Sequence, residues 1–160
     1  MPKLQDILLL VGQLNYTWTN TESLLIHMIA GLAKVDKETA IVIFLTLNTT
    51  RARIDLVERL TKMQKTPAEC RNDVLEATRR LTEQAKLRNK YNHCIYSFDP
   101  DSGQGLTQLM RIFDSKDEVK YGKVEALDDQ EVVRIKECIA SLVAINRMLW
   151  EITDRYGFPR

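Results

Sequence analysis

Ala85 to Asp99 reads AKLRNKYNHCIYSFD, and inside this stretch the periodicity of the chain changes. Before it, Val74, Ala77 or Thr78, Leu81 and Ala85 follow one another at three- to four-residue spacing, the mark of one helix face. After His93 the run CIYSF alternates or runs apolar, DPDSGQG is turn chemistry, and LTQLMRIF and EVKYGKVEAL follow. A helix is therefore expected to end near Tyr91 and to give way to an irregular hairpin or a small meander. Its start is marked by TPAE, Thr66 to Glu69: threonine at the cap, proline at the first helical position and glutamate at the third.

Working back toward the N-terminus, Asn48 or Thr49 caps a helix whose Ile54, Val57 and Leu60 face inward. Asp36 caps KETAIVIFLTL, read as a helix although its β-branched residues also suit a buried strand. Residues 4 to about 34 carry a seven-residue repeat. Leu4, Val11, Trp18, Leu25 and Leu32 form one row, and Ile7, Leu14, Thr21 and Met28 form a second. Such a seam suits plain core packing or a second subunit, with Leu4, Val11, Trp18 and Leu25 as the candidate dimer contacts. Trp18 and Glu22, one turn apart, are expected to pack and hydrogen-bond, within reach of a basic residue on a neighbouring helix.

Working forward, Asp128 with Glu131 three residues on opens a last helix. Val132, Ile135, Ile139, Leu142, Leu149 and Ile152 line one of its faces, and Gly157 and Pro159 end it. The expected fold is all-α: about five helices in a bundle over residues 1–160, a single domain, with a small β-hairpin or meander between the fourth and fifth helices.

With 160 residues, 44% apolar and 28% charged, the composition is that of a globular protein able to bury a core. Three widely spaced cysteines, without CxxC or histidines at zinc-ligand spacing, read as reduced thiols in a cytoplasmic protein. The longest apolar run, AIVIFL from Ala40, is far too short for a bilayer. No Gly-rich phosphate loop, HExxH or GxSxG occurs, and neither a metal nor another cofactor is expected. A net charge of +1 argues against non-specific coating of nucleic acid. The charge is uneven: residues 51–93 hold eleven Lys/Arg against six Asp/Glu, net +5, whereas residues 114–137 hold five against eight, net −3.

RNKYNH, Arg88 to His93, lies in the basic part. Arg88 falls seven residues after Leu81, where the apolar row points, and a guanidinium there must meet an acid, line a cleft or emerge at an interface. Asn89 and His93 are four apart and share a face if the helix lasts that long. Arg88 and His93 are five apart, roughly 140° around an ideal helix. They converge only if the helix ends or distorts near His93, or if two chains contribute. Arginine offers a fixed fork of donors to phosphate oxygens, and histidine, with an ordinary pKa of about 6.5, exchanges protons near neutrality. The plainer alternative is a salt-bridged arginine and a histidine capping a helix C-terminus.

RNKYNH resembles the signature of the HEPN superfamily, an arginine, a polar residue, three more residues and a histidine at the end of a helix. The resemblance implies an all-α homodimer in which motifs from both chains meet in a basic cleft, and a metal-independent endoribonuclease serving as a toxin, in phage defence or in RNA processing. Arg88 would hold phosphate, Asn89 orient or bond it, and His93 act as general acid and base. Arg79, Arg80, Lys86 and Lys90 read either as an extension of the RNA-binding face or as an exposed helix flank, and a protein antitoxin is a further implied partner. HEPN toxins paired with a nucleotidyltransferase typically carry a tyrosine two residues after the histidine; here Ile95 stands there and Tyr96 follows. Other members of the superfamily are non-catalytic interaction modules, which is the alternative function. Outside the motif, His27 reads as a satisfied surface or packing histidine, and Asp99 and Asp101 as turn formers.

Overall fold

A computed structural model describes residues 1–160. Six helices and five strands follow in the order α1 (Leu4–Ser23), α2 (Leu25–Ala33), α3 (Lys37–Thr46), α4 (Thr50–Thr61), α5 (Ala68–Asn92), β1 (Cys94–Phe98), β2 (Gly105–Leu109), β3 (Ile112–Asp114), β4 (Val119–Tyr121), β5 (Val124–Leu127) and α6 (Asp129–Arg155). The fold is thus mixed α/β and rich in helix, 64% helix against 12% strand, and the expected all-α five-helix bundle is corrected in two places.

The first correction lies in the opening helix, which breaks at Leu24. The Ser23 hydroxyl donates to the Asn20 carbonyl at 2.7 Å, in competition with the backbone ladder. The Leu24 amide bonds Thr21 O at 3.1 Å and the His27 amide bonds Leu24 O at 3.1 Å, the tighter three-residue spacing of a helix end. The second correction lies in residues 94–127, which form two antiparallel sheets rather than one small hairpin. One has the order β1-β2-β5 and the other is the ribbon β3-β4. Cys94 pairs with Leu109 and Phe98 with Gly105; Gly105 pairs with Leu127 and Gln108 with Val124. Cys94, Gly105, Thr107 and Leu127 are buried while Ile95 and Val124 are exposed, so the first sheet has one packed and one open face.

The chain divides into two compact units, Met1–Tyr16 with Ala85–Ala140, and Thr17–Gln84 with Ser141–Arg160. In the second unit, Leu25, Met28, Ile29, Val57, Val74, Leu81, Leu142 and Leu149 are fully buried or nearly so. Glu22 is buried there as well and is fully engaged. It accepts from Trp18 Nε1 at 2.8 Å, from Thr50 Oγ1 at 2.6 Å and from Arg53 Nη1. Arg53 also donates to the carbonyls of Phe44 and Leu47 and lies over the Phe44 ring. His27 packs against Trp150 and its Nδ1 lies 2.8 Å from Pro159 O, the place of a packing histidine.

Helix α3 forms despite its β-branched residues because Asp36 caps it, accepting from the Thr39 amide at 2.7 Å. The Thr66 hydroxyl donates to Leu60 O at 3.4 Å, and α5 begins two residues later at Ala68. In the first unit, Ile7, Leu14, Tyr91, Leu127 and Ile135 make the core. Asp128 Oδ1 accepts from the Glu131 amide at 2.8 Å and so caps α6.

Candidate functional site

Helix α5 ends at Asn92, and the amide of His93 still bonds back to Asn89 O at 3.1 Å. His93 is exposed at this C-terminus. Its carbonyl is the last point of the helix strand junction: it accepts from the Met110 amide at 2.9 Å, which ties the end of α5 to the end of β2. The period change after His93 in the sequence is therefore the junction of helix and sheet.

A cavity of about 480 Å³ opens here. It is lined by Lys86, Asn89, Lys90 and His93 from α5 and by Leu109, Met110 and Arg111, a volume within the usual range of ligand sites. Asn89 and His93, four residues apart, share this cavity as their spacing predicts. Arg88 is not among its walls. Its Nη1 donates to Asn89 Oδ1 at 3.1 Å. With the Asn92 amide turned to suit its neighbours, Nη2 and Nε of Arg88 each donate to its oxygen at 3.0 Å, and its nitrogen donates to Asn15 Oδ1 at 2.8 Å. Arg88 is half-buried, and the amides hold its planar fork in one orientation.

The other basic residues are distributed differently. Lys86 is exposed on the cavity wall. Lys90 is drawn inward, with Nζ 2.9 Å from Glu131 and 3.0 Å from Glu125. Burial alone would lower its pKa, but the hydrogen bonds to the two carboxylates win and raise it. Glu125 is held below the usual carboxylate range chiefly by the Lys90 hydrogen bond. Glu131 also accepts from the Tyr91 hydroxyl. Burial first, and that carboxylate second, push the Tyr91 phenol far up, so it stays a donor. Arg79 and Arg80 belong to the other unit. There Arg79 bonds Glu76 and Glu83, and Arg80 bonds Glu76, with the hydrogen bonds from the two arginines pulling the Glu76 carboxyl down to about 2.

Of the candidate dimer contacts, Leu4 is 42% exposed and Val11 half-buried, whereas Trp18 and Leu25 lie inside the protein at 1% and 0%. Asp99 accepts from the Asp101 amide and from the Ser102 hydroxyl, a turn. No three His, Cys, Asp or Glu side chains gather into a group able to hold a metal ion, and no helix is long and apolar enough to cross a membrane.

Asn15, Arg111 and Glu131 were not singled out for the site by sequence. Nothing marks Asn15 among the polar residues of α1, and Arg111 only joins two strands. Glu131 reads as a capping-box acid; its amide is indeed capped, but its carboxylate serves Lys90 and Tyr91.

No protein-family model matches the chain, nor does any curated protein or solved structure.

Proposed function

We propose that the protein is a HEPN-type endoribonuclease acting as a cytoplasmic homodimer, with Arg88, Asn89 and His93 of two chains composing the site. The observation that carries this reading is the position of His93, exposed at the end of α5 in a cavity it shares with Asn89, Lys86 and Arg111. Arg88 is oriented by Asn89 and Asn92 outside that cavity wall, in keeping with a site that needs a second copy of the motif. In the reaction His93 takes the proton of the substrate's 2′-hydroxyl. The 2′-oxygen then bonds to phosphorus, the bond to the 5′-oxygen breaks, and His93, now the general acid, gives the proton to that oxygen. A guanidinium on the non-bridging oxygens stabilises the charge that develops. The biological setting that fits is a toxin held by a protein antitoxin, phage defence or RNA processing.

The test is RNA cleavage in EDTA. The expected products carry a 2′,3′-cyclic phosphate, and His93→Ala abolishes them while leaving the circular dichroism spectrum unchanged. Cleavage that survives this substitution overturns the mechanism.

A second reading, a non-catalytic dimerisation module, is favoured by the exposed apolar side chains Leu4, Leu8 and Leu9 on α1 and by the engagement of Arg88 with amides. It predicts no cleavage and a loss of dimer in Arg88→Ala. A monomer in light scattering at micromolar concentration overturns both readings.

A further inference from the structure

A second cavity, of about 460 Å³, adjoins the one at His93. Leu109, Met110 and Arg111 line both, so one wall separates them. Its remaining walls are Ile95, Gln108, Ile112 and Tyr121. Ile95 and Gln108 are cross-strand partners on β1 and β2, and Ile112 and Tyr121 are cross-strand partners on β3 and β4. Paired residues project from the same face of their sheet. The cavity is therefore a slot between the open face of the three-stranded sheet and one face of the ribbon.

Four of its apolar side chains are well exposed: Ile95 at 53%, Met110 at 56%, Ile112 at 66% and Tyr121 at 69%. The ribbon's position is fixed at its base. The Gly122 amide bonds Arg111 O at 2.9 Å, and the Leu109 amide bonds Lys123 O at 3.2 Å. The bond from the Met110 amide to His93 O joins this base to the end of α5. A slot with an aromatic residue in its wall, opening beside a cationic cavity, has the chemistry of single-stranded nucleic acid binding. The ring offers a stacking surface to a base, and cations follow the phosphates. Arg111 and Lys86 supply those cations on the His93 side.

We propose that the slot between Ile95, Ile112 and Tyr121 is a nucleobase subsite, holding a base of single-stranded RNA that flanks the phosphate at His93. The inference rests on the endoribonuclease reading and deepens it. Tyr121 stacks on the base, Ile95 and Ile112 close the slot, and Gln108, whose Nε2 donates to Gly122 O at 3.4 Å, offers its amide oxygen to the base edge. The Arg111 guanidinium binds the phosphate between the two cavities. A slot built from stacking is tolerant of sequence, so the preference it imposes is for unpaired RNA over duplex.

The experiment measures binding in the non-cleaving His93→Ala background, by fluorescence anisotropy. The probes are a labelled single-stranded RNA of mixed sequence and an abasic oligonucleotide of the same length. Tyr121→Ala is expected to weaken binding of the RNA about tenfold and leave the abasic oligonucleotide unchanged, while Tyr121→Phe keeps both. Arg111→Ala is expected to weaken both probes and lower the salt dependence by about one counterion. Equal binding of the RNA by the parent and Tyr121→Ala overturns the subsite and leaves the endoribonuclease reading standing. Equal weakening of both probes by Tyr121→Ala also overturns it, because the tyrosine then serves the backbone or the fold. A shift in oligomeric mass with RNA affinity unchanged makes the slot a subunit interface and overturns it too. Absence of RNA binding by the parent, together with absence of cleavage by the wild type, removes both proposals.

Discussion

Lys90 and Glu131 meet at 2.9 Å with side chains only 14% and 6% exposed, so a lysine in the middle of the motif ties α5 to the first turns of α6. The pair is joined by Glu125 and by the Tyr91 hydroxyl. A charge taken out of water at this depth depends on its partner. Lys90→Met is expected to cost about 3–5 kcal/mol in urea unfolding, because it leaves the buried Glu131 carboxylate without its nearest cation, and Glu131→Leu less, because Lys90 keeps Glu125. The double variant Lys90→Met/Glu131→Leu is expected to recover only part of that loss, since it removes both charges of the pair but leaves the buried Tyr91 hydroxyl without its acceptor. Two additive losses would show that the two residues do not act as a pair.

The same interactions set the pH dependence of stability. Glu125 is held low by Lys90, and Glu76 is pulled down to about 2 by Arg79 and Arg80. Asp36 and Asp99 are lowered by hydrogen bonds from Thr39 and from Ser102. A carboxyl group with a depressed folded-state pKa contributes stability that is complete above its unfolded value. That contribution is lost as pH falls through the folded value. The melting temperature should therefore hold down to about pH 5 and fall across the window from about 4.5 to 2. Lys90 has the opposite sign: its raised pKa contributes stability below about 10.5 that disappears as pH rises further. Melting curves of Glu125→Gln should show a weaker acid limb, and an unchanged limb would remove Glu125 from this account.

The residues that were legible in the sequence are those whose role follows from period and spacing. Val74, Ala77, Thr78 and Leu81 are all buried, and so are Ile135, Leu142, Leu149 and Ile152. Their rows could be read because a helix face repeats. The end of α5 beside His93 could be read because the period changes there. What could not be read depends on tertiary geometry. The break at Leu24 comes from the Ser23 hydroxyl reaching Asn20 O, a choice that a seven-residue repeat does not register. Five short strands in two sheets read in the sequence only as a hairpin or meander because strands such as IFD and VKY are three residues long, too short for a period of two to declare itself. The direction of Lys90 was equally hidden, since its partners are 35 and 41 residues away.

Glycine is required at position 122 by proximity. A Cβ placed there would lie 2.1 Å from Leu109 O, far inside contact, and the offending atom is backbone. Gly122→Ala must push the ribbon away from β2, and a loss of about 1–3 kcal/mol is expected from such overpacking. Urea unfolding checks it. The amides of Gly122 and Leu109, bonded to Arg111 O and Lys123 O, should also lose protection from hydrogen exchange.

The three cysteines, Cys70, Cys94 and Cys138, are all buried and none is in a disulfide. Burial raises the thiol pKa of each, that of Cys138 to about 11. Little thiolate is present at mildly alkaline pH, and access is poor. None should titrate with a disulfide reagent in the folded protein, and all three should titrate in guanidinium. A thiol that reacts at once under native conditions would show that its surroundings open readily.

Asn15 gives the proposed function its most selective test, because it lies on α1 and acts only through Asn92. The Asn92 nitrogen donates to Asn15 Oδ1 at 2.8 Å, and the Asn92 oxygen faces Arg88 Nη2 and Nε. Without Asn15 the Asn92 amide loses the partner that sets which end faces the guanidinium. Asn15 is half-buried, so Asn15→Ala should change the melting temperature little, the usual outcome away from a packed core. If Arg88 binds phosphate in the transition state, its misorientation should lower kcat about tenfold, the effect of losing about 1.4 kcal/mol of stabilisation. The Lys86→Ala control, which removes an exposed charge from the cavity wall, should instead raise KM and its salt dependence with kcat nearly kept. A full kcat in Asn15→Ala would mean that Arg88 does not need its amide partners to act.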